Sequence, residues 1–167
     1  MKIAAIAATI LLVTATAKAS TFQFPDAQRL QALRTKLQTA NVDVTQAMEH
    51  ATAMKNYDDQ RCLGLVHDQA QEVGMVAAGV GDFLALSILM KDSEDETRTL
   101  IGMQTWVTAL SNQLRHSREI INGAMSVCSN SATVNVKAQN ILNLLSEWSD
   151  PLAAISKKIA QAVPSKR

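Results

Sequence analysis

Apolar residues recur at alternating spacings of three and four along most of this chain, and no proline interrupts it between Asp26 and Asp150. A repeat of that period puts one apolar stripe on each of several long helices, and burying the stripes lays the helices side by side. Four stripes can be read. The first runs Leu30, Leu33, Leu37, Ala40, Val44, Ala47, Ala51 and Met54, from a start at Pro25-Asp26 to a break at Asn56-Tyr57-Asp58-Asp59. The second runs Leu63, Val66, Ala70, Val73, Ala77, Val80 and Leu84, and gives out near Met90 in a polar run.

Ser93 and Glu96 in that run form a capping box, which starts a third helix near Glu94. Its stripe is Leu100, Met103, Val107, Leu110, Leu114, Ser117, Ile121, Ala124 and Cys128, and Ser129-Asn130-Ser131 then offers a turn and a new cap. The fourth stripe, Val134, Ala138, Ile141, Leu145, Trp148, Leu152, Ile155, Ile159 and Ala162, keeps phase through Pro151. Proline there predicts a kink, or a restart with Asp150 as cap and Pro151 as the first helical residue. Rods of roughly 30 residues, each about 45 Å long, joined by short turns predict an all-α, up-down-up-down four-helix bundle of long helices. The alternative is a three-helix core with a detached fourth helix. Small residues at Ala70, Gly74, Ala77, Ala78 and Gly81 suit close approach of the second helix to its neighbours, and Gly74, Gly79 and Gly81 make it the segment most prone to bend.

The ends divide off from this domain. Lys2, the apolar run Ile3 to Val13 and the small-x-small Ala17-Lys18-Ala19 read as a cleaved signal peptide over residues 1–19. The apolar run is too short to span a bilayer, for which ~20 residues are needed. Residues 20–25 are then an N-terminal extension, 26–163 one bundle domain and 164–167 a tail. The expected location is outside the cytoplasm, periplasmic or secreted, with a signal of bacterial type.

Export sharpens the reading of the only two cysteines. If the second and third helices form an antiparallel hairpin about the turn near Ser93, Cys62 and Cys128 lie about equally far from that turn and meet at its open end. An oxidising compartment lets them bond, so a disulfide staple is expected.

Composition narrows the function classes. The chain holds 16 basic and 15 acidic residues, and loss of Lys2 and Lys18 with the signal leaves 14 and 15. A near-neutral chain with few aromatics gives no footprint of a nucleic-acid binder. There is no Cys-x-x-Cys-His, no Glu-x-x-His, no glycine-rich phosphate loop, no His-Glu-x-x-His and no Gly-x-Ser-x-Gly. Hence no catalytic residue, metal or cofactor is assigned, and a non-enzymatic protein is expected. His50, His67 and His116 fall on three helices, the first two beside the stripes and the third outward, but spread over about 10 Å of height. A small-ligand, haem or metal site near His50 and His67 is the alternative function.

The strongest functional signal is an excess of apolar surface. From Val73 to Met90 the only charged residue is Asp82, although a bundle helix normally keeps a polar outer face. With the stripe turned inward, Met75, Leu86 and Leu89 face out, joined by Ile101 on the next helix, beside an acidic turn from Asp92 to Glu96. An exposed apolar patch with a charged rim is the composition of a contact site. It predicts an interaction or accessory protein that binds a protein partner or a second copy through Met75, Leu86, Leu89 and Ile101. Membrane contact is disfavoured by Asp82, three glycines and the lack of flanking basic clusters.

Overall fold

A computed structural model of the protein describes residues 26–86 and 93–162. Every element within those residues is a helix: α1 (Asp26–Ala53), α2 (Tyr57–Leu86), α3 (Ser93–Val127), α4 (Ala132–Ser146) and α5 (Ser149–Ala162). α4 and α5 share the fourth stripe, so five helical segments supply four packed rods.

The stripes become the core. All seven α2 positions are buried, as are Leu100 through Ala124 on α3 and Val134 through Ile159 along α4 and α5. On α1 the stripe holds from Leu30 to Ala51 except for half-buried Ala47, while Met54 lies past the helix end and is exposed. α2 packs along both α1 and α3; α4 touches α1, α2 and α3, and α5 closes on α3 and α1.

Local chemistry sets the helix ends. At the end of α1, Asn56 N–H donates to Ala51 O at 2.9 Å and Lys55 N–H to Thr52 O at 3.0 Å, the two bonds of a Schellman cap. Lys55 takes the left-handed φ of 56° that this cap requires. Asn56 then caps α2, its Oδ1 accepting from the Asp59 amide at 3.2 Å. The break is therefore tighter than the polar run suggests: Tyr57, Asp58 and Asp59 are already helical, and both carboxylates sit where the positive end of the helix dipole favours them. The capping box expected at the start of α3 involves the Ser93 side chain, which lies outside the described residues.

Ser131 caps α4. Its hydroxyl accepts from Val134 N–H at 3.2 Å and donates to Asp59 Oδ2 at 2.8 Å, which ties the α3–α4 turn to the first turn of α2. The interruption of the fourth rod falls at Glu147 and Trp148, with helix resuming at Ser149 rather than at Pro151. The reason is backbone accounting: the first turn of any helix has amides without intrahelical acceptors, so proline fits at its third residue as well as its first. Trp148 fills the core at this turn, 1% exposed.

α2 and α3 run antiparallel, as their cross-contacts show. Cys62 meets Cys128, Gln69 meets Ser117, Gly79 meets Trp106 and Phe83 meets Gly102, one number falling as the other rises. The cysteines lie at disulfide distance, Cα–Cα 6.6 Å, and a bond there is compatible with an oxidising, exported environment. Further along, a polar chain, buried at Ser117 and Gln69 and exposed at Glu72, crosses the same interface. Gln113 Nε2 donates to Glu72 Oε2 at 2.8 Å and to Ser117 Oγ at 3.1 Å, and Ser117 Oγ donates to Gln69 Oε1 at 2.9 Å. Because buried polar atoms are expensive to leave unpaired, this chain favours one register of α2 against α3.

Toward the other end the two helices are clasped by aromatic rings seated on glycines. A Cβ on Gly79 would come within 2.6 Å of the Trp106 ring, and one on Gly102 within 2.6 Å of Phe83. The two rings lie 6.4 Å apart, tilted by 41°. Gly74 and Gly81, expected to ease helix packing, have no neighbour within 4 Å of the missing Cβ, whereas Gly79, expected only to favour bending, is pressed against another helix.

Candidate contact face and the groove beside it

Met75 projects from α2 with 61% of its surface exposed, and Ile101 from α3 with 55%. Both are placed on the outside, as the stripe phase predicts. Leu86 ends α2, but its side chain lies outside the described residues, as does all of Leu89. Of the acidic rim, only the side chain of Glu96 is within them.

Trp106 and Phe83 add partly exposed aromatic surface at the α2–α3 junction, which sequence reasoning missed. Met75 is one helical turn from Gly79, where Trp106 lies, whereas Ile101, next in sequence to Gly102, points about 100° around α3 from it. Trp106 keeps 37% of its surface exposed and Phe83 is half-buried. Apolar side chains are thus exposed on the outer faces of both α2 and α3. The hairpin rule that pairs the cysteines also pairs Gly79 with Trp106 and Gly102 with Phe83, so the signal was present in the numbering.

Beside Met75 opens a groove between α1 and α2, about 550 Å³ in volume. Its floor is Leu37, Ala70, Gly74 and Ala78, with Val42 and Met75 along the walls and Arg34 and His67 toward opposite ends. Arg34 and Asn41, which line it, each keep one side-chain atom, Nε and Oδ1, shielded from solvent and without a hydrogen-bond partner. A second cleft lies at the cysteine end, lined by Asp58, Asp59, Arg61, Leu65, Val127 and residues of the α3–α4 turn.

The histidines do not converge. His50 and His116 are exposed, so His50 lies farther from the core than its phase suggests, and His67 is half-buried with Nδ1 3.0 Å from Asp68 Oδ1. Among the described residues, no three His, Cys, Asp or Glu side chains are grouped to hold a metal ion. No described helix is long and apolar enough to cross a membrane. Compared with protein-family models, curated proteins and solved structures, the chain matches none of them.

Proposed function

We propose that this is an exported, non-enzymatic helical-bundle protein, an interaction or accessory protein whose contact face is the outer strip of α2 and α3. Its four rods are read as an up-down-up-down bundle delivered to the periplasm or beyond by the leader over residues 1–19. The observation that carries the reading is the exposure of Met75 on α2 and Ile101 on α3, together with the partly exposed Phe83–Trp106 pair at the junction of the two helices. Exposed apolar side chains accompanied by aromatic ones are the usual make-up of an interface core. Leu86 and Leu89 extend the same face in this reading. Its partner is a second copy of the chain or another exported protein.

The test is association of the mature chain from Ser20 with Met75 and Ile101 both changed to Glu. Light scattering and co-purification from the exported fraction are expected to show wild-type complexes that the double variant loses, while circular dichroism stays unchanged. A strictly monomeric wild type with no stoichiometric partner would overturn the proposal, and so would complexes that survive the two charges.

A further inference from the structure

We infer that Met75 is an oxidation site through which the contact face is switched off: an oxidant of the peroxide class turns its thioether into a sulfoxide, and association is lost. The inference rests on the contact-face reading and adds its regulation.

Side-chain chemistry selects methionine in this chain. Thiols are ordinarily the groups that oxidants reach first, but the only two cysteines lie at disulfide distance and neither is free. The thioethers come next. Of the methionines among the described residues, Met103 is fully buried, and Met48 and Met125 are half-buried and packed against the core. Met54 and Met75 are the two that are exposed.

Position separates these two. Met54 follows the end of α1, at the cysteine end of the bundle. By the helical rise Met75 stands about 27 Å along α2 from Tyr57, outside the core and within the contact face. A helix covers most of its own backbone, so the 61% exposure of Met75 belongs to its side chain. Its surroundings are open and apolar: it borders the groove between α1 and α2 with Val42 opposite, and Gly74 beside it has nothing within 4 Å of the missing Cβ.

The step balances with peroxide as co-reactant. A lone pair on Met75 Sδ attacks one peroxide oxygen, the S–O bond forms as the O–O bond breaks, and the departing hydroxide takes the proton of the transferred oxygen to become water. Sulfur gives up two electrons and the peroxide is reduced. The product carries a strongly polar oxygen where the contact face presents an apolar side chain. Packing that oxygen against a partner strips its water without supplying a donor, so association weakens, while the fold, whose core does not include Met75, is unaffected.

The probe is hydrogen peroxide. The disulfide-bonded mature chain from Ser20 is diluted until dissociated, oxidised for graded times and quenched with catalase. Peptide mass spectrometry then locates the sulfoxides, and light scattering after reconcentration and co-purification from the exported fraction report association. Oxidation at Met54 and Met75 is expected to run about tenfold or more ahead of that at Met103, which reacts only through opening of the bundle. Association should weaken about tenfold or more in step with oxidation of Met75. Met75→Leu, apolar and inert to peroxide, should keep its association after treatment, whereas Met54→Leu should lose it as the wild type does. Oxidation of Met75 no faster than Met103, association that survives complete oxidation of Met75, or loss of association in peroxide-treated Met75→Leu would each overturn the inference. The untreated wild type is scored first: a chain that is monomeric and partnerless before any peroxide fails the contact-face reading itself, and the switch with it.

Discussion

The indole of Trp106 lies against Gly79 so closely that a single methyl group at that position would come within 2.6 Å of the ring. Gly81, two residues further along the same helix, has nothing within 4 Å of its missing Cβ. The same substitution should therefore have opposite effects at the two sites. Gly79→Ala must displace Trp106 or push the helices apart and should cost about 1–3 kcal/mol, the range for overpacking. Gly81→Ala adds a better helix former in open space and should gain about 0.5–1 kcal/mol. Urea denaturation of the two variants decides it, and equal shifts in one direction would refute the packing described for α2 and α3.

That contrast also marks the limit of what the pattern of apolar residues conveys. The buried stripe was legible almost position by position, because burial follows the helical repeat and a proline-free chain has no other way to hide those residues. The cysteine pairing was legible because an antiparallel hairpin fixes which residues share a height. Of the proposed contact face, the exposure of Met75 and Ile101 was legible from phase alone. Gly79 was not separated from Gly74 and Gly81, since what a missing side chain faces depends on the ring across the interface. Nor could sequence place Arg34 and Asn41 as orphaned polar groups, for that depends on side-chain rotamers and on which neighbours fall short. The position of the break near Pro151 was two residues out because proline is tolerated anywhere in a first turn.

Cys62 and Cys128, 66 residues apart in sequence, should account for a large share of the stability. Closing a loop of that length is worth about 4 kcal/mol in the chain-entropy model. Replacing both by Ala should lower the denaturation midpoint by a corresponding amount, with the helical circular dichroism preserved under native conditions. If both thiols alkylate in denatured but unreduced protein, the staple does not form.

Ser117 and Gln69 test whether the polar chain across α2 and α3 acts as a unit. Ser117→Ala strands Gln69 Oε1 and removes an acceptor from Gln113, and should cost about 1–3 kcal/mol. Adding Gln69→Leu removes the stranded acceptor, so the double variant should recover much of that loss. Additive losses in a double-mutant cycle would show that the two side chains are energetically independent.

The bond between Cys62 and Cys128 turns the intervening chain, with nearly all of α2 and α3, into a covalently closed circle that leaves α1 and the final two helices as arms held to it by packing alone beyond their chain joints. One proteolytic nick inside that circle releases no fragment, whereas a nick in either arm sheds one. Under oxidising conditions the pieces bearing the Phe83–Trp106 pair thus stay covalently joined after a first cut between the cysteines.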